Sequence, residues 1–100
     1  MVKMLQSIKA VHRIKRMEKC FDFLLHTFKS EGKKALDNKT FCKRLERLTR
    51  YYQNGLWLSD YERDERGELP QELKRGCLSQ DGIYDLLSDI YAHTDDETEN

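Results

Sequence analysis

One proline and five glycines are little punctuation for a chain of 100 residues. Val2, Val11, Ile8, Ile14, Ile83 and Ile90 are its only aliphatic β-branched residues. A sandwich or barrel of many short strands needs both the turns and the β-branched side chains, so those folds are excluded and a mostly helical chain is expected. No run of about 18 apolar residues exists to span a membrane. The apolar residues near the start are interrupted by Gln6, Ser7, Lys9, His12 and Arg13, which leaves no continuous signal-peptide core. Cysteine is sparse and odd in number: Cys20, Cys42 and Cys77 cannot all pair within one chain, so reduced thiols and a cytoplasmic location are expected. Leu, Ile, Val and Phe supply 23 residues, a little above the level of about 20% below which a strongly charged chain stays disordered. A single domain on a thin core follows.

What is plentiful is charge, 36% of the chain with a net charge of zero. Residues 1–50 carry 14 basic and 5 acidic side chains and residues 51–100 carry 4 and 13, so the halves are +9 and −9. Such asymmetry asks for a partner of opposite sign: nucleic acid, a membrane surface, or the other half of the same protein.

The periodicity is helical. Met4, Ile8, Val11, Ile14, Met17, Phe21, Leu24 and Phe28 recur in steps of three and four, one stripe of a first helix over 3–30. From Lys3 to Phe28 it is about 39 Å long at 1.5 Å per residue, which calls for protrusion or a partner. The successive steps of three from Ile8 to Met17 make the stripe drift around a straight helix, and a left-handed wrap keeps it buried. Leu5 and Phe23 lie off the stripe. Ser30, Glu31 and Gly32 break the chain. A second helix over 37–53 is capped by Asp37 or Asn38, carries Phe41, Leu45, Leu48 and Tyr52 on one side, and ends at Asn54-Gly55. Two amphipathic helices joined by a short connector form an antiparallel hairpin. Residues 56–92 supply short helices: one from Leu56, a turn begun by Pro70 and stopped by Gly76, and a last helix from about Gln80 to Ala92 capped by Ser79. The fold class is all-α, a long antiparallel hairpin with a short helical C-terminal cap, as one domain over 1–93. Residues 94–100, without an apolar side chain, are expected to form a disordered acidic tail.

The segment Trp57-Leu58-x-Asp60-Tyr61-Glu62-x-Asp64-Glu65-x-Gly67-x-Leu69-Pro70, continuing through Leu73-Lys74-Arg75-Gly76-x-Leu78-Ser79-x-Asp81-Gly82-x-Tyr84-x-Leu86-Leu87, resembles a small bacterial family, domain of unknown function 4298. Arg13-Ile14-x-Arg16-Met17-Glu18 is similar to its opening. The likeness covers about residues 10–90. It implies a compact helical domain in a bacterial cytoplasm and brings no activity, substrate or catalytic residue. The three cysteines look particular to this chain, which argues against a family-wide thiol or metal role.

No feature of the sequence marks an active site. The cysteines and histidines lack the close pairs that zinc sites use, and no metal or other cofactor is expected. Asp60-x-Glu62-x-Asp64 resembles the start of a calcium loop, but Glu65 stands where the loop needs Gly and Gln71 where it needs Glu. Tyr61, Asp64, Lys74, Arg75, Asp81 and Tyr84 form a candidate catalytic or ligand-binding cluster. Against that stands a structural role, in which the Lys74-Arg75 turn docks on Asp60, Asp64 or Asp81. The leading expectation is a non-enzymatic, self-associating interaction or adaptor module, a homo-oligomer such as a dimer or the partner of another protein. Leu5, Phe23, Trp57, Tyr61, Lys74 and Arg75 supply its contacts, and the charged halves set its orientation. The alternative is nucleic-acid contact through Arg13, Arg16, Lys43, Arg44 and Arg47 on the basic hairpin. Membrane binding is not expected, because the apolar stripe continues from Met17 to Phe28 as a core-facing side.

Overall fold

The computed structural model describes residues 2–98. Four α-helices carry the chain: α1 (Val2–Glu31), α2 (Lys39–Gln53), α3 (Leu56–Glu65) and α4 (Gln80–Thr98), with 3-10 turns at Gly32–Asp37 and Gly76–Leu78. No strand occurs among the described residues. The particle measures 53 × 21 × 21 Å, its long axis set by the 30 residues of α1.

The expected hairpin is present. Gly32, at φ 59, lets the chain leave α1 through a left-handed residue. Asn38 then caps α2, its side chain accepting from the Phe41 amide at 3.0 Å. Phe41 packs near both Phe23 and Phe28 of α1, while Tyr51, ten residues on, is tied through Asp60 to Arg13. Contacts that descend α1 as they ascend α2 define an antiparallel pair. Gly55, also left-handed at φ 94, turns the chain from α2 into α3. Ser79 caps α4, its hydroxyl accepting from the Gly82 amide at 3.2 Å.

One continuous core draws on every element, from Ile14, Met17, Phe21 and Leu24 through Phe41, Leu45 and Leu48 to Ile83, Leu86 and Ile90. Phe21, Leu25 and Phe28 of α1 share a groove with Asp85, Leu86 and Asp89 of α4, and Phe28 meets His93 edge-on at 5.2 Å. Residue numbers rise together on both helices, so α4 runs parallel to the second half of α1. Thr49 and Tyr91 join α2 to α4 through their hydroxyls at 3.0 Å.

Three expectations need correction. The first stripe does not stay buried throughout: Ala10 is fully buried, whereas Ile8 is 48% exposed and Val11 half-buried. Three steps of three residues carry a stripe through about 180° on a straight helix of 3.6 residues per turn, and α1 lets it drift outward. Met4 lies outside the residues whose side chains are described. Secondly, the helical turn does not run from Pro70 to a stop at Gly76. Pro70 opens a turn closed by the Leu73 amide donating to its carbonyl at 3.2 Å, and the 3-10 turn begins at Gly76. Thirdly, α4 continues to Thr98, through most of the segment expected to be a tail; residues 99 and 100 lie outside the described residues.

Candidate functional site

Two buried polar clusters hold the cap on the hairpin. In the first, Asp60 of α3 is wholly buried. Its Oδ2 accepts from Arg13 Nε at 2.9 Å and from the Tyr51 hydroxyl at 2.7 Å, and its Oδ1 accepts from an Arg13 Nη at 2.6 Å. One carboxylate thereby ties α1, α2 and α3, with Arg13 presenting its planar fork in the bidentate geometry that suits a carboxylate. The hydrogen bond to Asp60 raises the Arg13 pKa against the opposing effect of burial. Burial, reinforced by Asp60, pushes the Tyr51 phenol far above its ordinary value.

In the second cluster, Glu18 of α1 reaches the Gly76–Leu78 turn. Its Oε1 accepts from the Cys77 amide at 2.8 Å, and Trp57 Nε1 donates to the Cys77 carbonyl at 2.9 Å. Both backbone groups of one buried residue are thus satisfied by side chains from different helices, as burial requires. The Cys77 thiol is itself fully buried, and burial followed by the nearby Glu18 carboxylate raises its pKa. Around the chain reversal, Arg75 pairs with Asp64 and donates to the Pro70 carbonyl. Glu68 takes Arg66 at 2.7 Å and Arg63 at 3.4 Å.

These contacts redistribute the expected site residues. Trp57, expected to provide contact area, is 5% exposed. It belongs to the core because its indole N–H finds the Cys77 carbonyl and its ring lies between Tyr52 and Tyr61, each at 5.1 Å. Tyr61 is half-buried in that stack. Arg13, expected on a basic surface, is committed to Asp60. Arg75 meets Asp64, as the docking of that turn anticipated, while Lys74 stands exposed beside it. Phe23 is half-buried beneath the Arg44 guanidinium, 4.4 Å above its ring. Leu5, Arg16, Lys43 and Arg47 are exposed. Of the candidate catalytic cluster, Asp64 and Arg75 come together, whereas Asp81 and Tyr84 face solvent on α4. Tyr51 and Glu18 were not expected as site residues, and Gly76 was expected only as a stop signal; an acidic residue next to the stripe of α1 was the available signal for Glu18.

Two depressions lie between α1 and residues 67–74. One, of about 530 Å³, is walled by Val11, Lys15, Glu18, Lys19, Asp22, Pro70, Glu72, Leu73 and Lys74. The other, of about 570 Å³, is walled by Ser7, Ile8, Val11, His12, Lys15, Gly67, Glu68, Leu69 and Pro70. Shared walls at Val11, Lys15 and Pro70 make them one groove, and neither wall includes Asp64, Asp81 or Tyr84. Among the described residues no group of His, Cys, Asp and Glu stands close enough to hold a metal ion. All three cysteines are unpaired, and no described helix is long and apolar enough to cross a membrane.

The polar clusters fall almost entirely inside one stretch of chain, with Glu18, Tyr51, Trp57, Asp60, Asp64, Arg75 and Cys77 all lying between residues 14 and 96 and Arg13 just ahead of it. No curated protein and no solved structure matches the chain. Over residues 14–96 it matches the family described as Domain of unknown function (DUF4298), and it belongs to that family.

Proposed function

We propose that the chain is a non-enzymatic interaction module that pairs with a second copy of itself through the head of α1 and the groove beside it. The observation that carries this reading is an unpartnered apolar edge: Leu5 and Ile8, one turn apart, are 55% and 48% exposed, and Ile8 opens onto the groove floored by Val11, Leu69 and Leu73. Exposed apolar residues that continue into a groove are a recurrent mark of an interface. The rim supports a second copy as the occupant. It alternates Lys15, Lys19 and Lys74 with Asp22, Glu68 and Glu72, and a two-fold contact needs one patch to complement itself, which mixed charge permits and a patch of one sign does not. A stable pair covers about 800 Å² per partner, roughly a ninth of the 7048 Å² surface. Three unpaired thiols support a reducing compartment, the cytoplasm.

Sedimentation equilibrium over a range of concentrations tests the reading. A monomer–dimer equilibrium is expected for the natural chain, and the double variant Leu5→Asp, Ile8→Asp is expected to sediment as a monomer with its thermal transition retained. A natural chain that stays monomeric at its highest soluble concentration sinks the proposal.

A further inference from the structure

The outer face of the hairpin is predominantly basic where the groove rim is mixed, and Lys19 stands on the border between the two. Arg44 lies over Phe23 at 4.4 Å, which marks where α1 and α2 meet on this face. Arg16 and Lys19 stand about two turns and one turn before Phe23 on α1, and Arg47 stands about one turn after Arg44 on α2. Lys43 flanks them, and Arg16, Lys19, Lys43 and Arg47 are all exposed. The acidic cap lies elsewhere. Phe21 and Phe28, against which α4 packs, project about 160° and 140° around α1 from Phe23 at 100° per residue. Asp81, Asp85 and Asp89 of α4 are therefore on the far side of the hairpin. Arg13 with Asp60, an ion pair that crosses between the chain's halves, is held inside the molecule, and Arg63–Glu68, Arg66–Glu68 and Arg75–Asp64 lie within the second half.

Asp22 and Glu46 edge this face, but Arg16, Lys43, Arg44 and Arg47 at its centre would meet their own copies across a two-fold axis and repel, so its partner is an anionic surface. We infer that this hairpin face binds the phosphodiester backbone of double-stranded nucleic acid, without regard to base sequence. Two rows of cations on helices packed about 8–10 Å apart are long side chains suited to phosphate oxygens. Single strands are held in large part by bases stacked on open aromatic rings, and the one ring on this face, Phe23, is half-buried with its exposed side taken by Arg44. The acidic α4 of another copy is the competing occupant. That contact is head-to-tail and builds rings or open chains that need a fitted surface, whereas a phosphate backbone needs none.

Fluorescence anisotropy with a labelled DNA duplex of about 20 base pairs and the matching single strand is the test. For about four phosphate contacts, affinity for the duplex is expected to fall roughly a hundredfold between about 50 and 200 mM salt. The exposed double variant Lys43→Glu, Arg47→Glu is expected to lower the slope of log affinity against log salt by about two. Circular dichroism of that variant should match the natural chain, since both positions are solvent-facing. Absence of duplex binding at low salt, binding confined to the single strand, or duplex binding untouched by the variant overturns the inference. So does salt-sensitive self-association that the variant abolishes in the absence of DNA, which assigns the face to a second copy.

Discussion

Asp60 is the residue on which most of the polar interior converges. A carboxylate taken fully out of water is costly unless its lone pairs are met, and here Arg13 and Tyr51 together supply three donors. Tyr51 answers to pH in a definite direction. Its phenol is pushed above the ordinary value of 10.0 by burial and then by Asp60, so the folded chain holds this proton more tightly than the unfolded chain. The stabilisation is complete below pH 10 and is lost as the pH rises beyond it. Cys77, raised from 9.0 by burial and then by Glu18, adds a limb that begins one pH unit earlier. Stability is therefore expected to fall by up to about 1.4 kcal/mol per pH unit once the first group titrates, and to fall more steeply once the second joins. Urea titrations from pH 8 to 11 test this. Tyr51→Phe should cost about 1.5–3 kcal/mol at neutral pH, the worth of a hydrogen bond to a charged group, and should remove the second steepening. A variant that keeps the steepening shows that Tyr51 is not its source.

Among the elements, the Gly76–Leu78 turn depends most on its neighbours, being only three residues long. Glu18 and Trp57 grip the two backbone groups of Cys77, and Gly76 allows the approach: a Cβ there would sit 3.1 Å from Glu18 Oε2. Glu18→Ala leaves a buried amide without an acceptor and should cost about 1–3 kcal/mol, while Glu18→Gln retains an acceptor and should cost less. Hydrogen exchange separates this from a general loss of stability. The Cys77 amide should exchange faster in Glu18→Ala than the core amides of α2 do, and unchanged protection there would mean that the clasp does not hold the turn. The difference in legibility between elements has the same origin. α2 could be placed from Phe41, Leu45 and Leu48 because its stripe and its Asn38 cap are local features of the sequence. The 3-10 turn could not, because what fixes it is a side chain 59 residues away. Gly76 looked like a stop signal for the same reason: spacing along the chain reveals left-handed termini but not the approach of a distant carboxylate. Trp57 was expected to give contact area to a partner and Arg13 to stand on a basic surface, and only the cap folding over the hairpin brings Cys77 and Asp60 to them.

For the whole molecule, the balance of charge in the sequence conceals two faces that are not balanced. Lys39, Lys43 and Arg47 follow one another at four-residue spacing on α2 and are all exposed, as are Lys15 and Lys19 on α1. Like charges at this spacing destabilise a helix by about 0.2–0.5 kcal/mol per pair, and salt relieves that repulsion because exposed charges are screened over about 10 Å at 0.1 M. Attraction between the basic hairpin and the acidic cap acts in the opposite sense and is weakened by salt wherever it crosses solvent. Arg13–Asp60, with its carboxylate wholly buried, is screened much less than surface pairs and changes little. The net response therefore reports which surface term is larger. Because α4 lies against the far side of α1, the repulsion within the basic face is expected to win, and the melting temperature should rise by a few degrees between low salt and about 0.5 M sodium chloride, equivalent to about 1 kcal/mol for a domain of this size. Lys43→Glu turns two repulsions, with Lys39 and Arg47, into attractions and one attraction, with Glu46, into a repulsion, so on balance it should raise the melting temperature at low salt and flatten the response. A melting temperature that falls as salt is added would show instead that the two halves compensate one another across the molecule, and the anionic partner inferred for the hairpin face would lose its electrostatic basis.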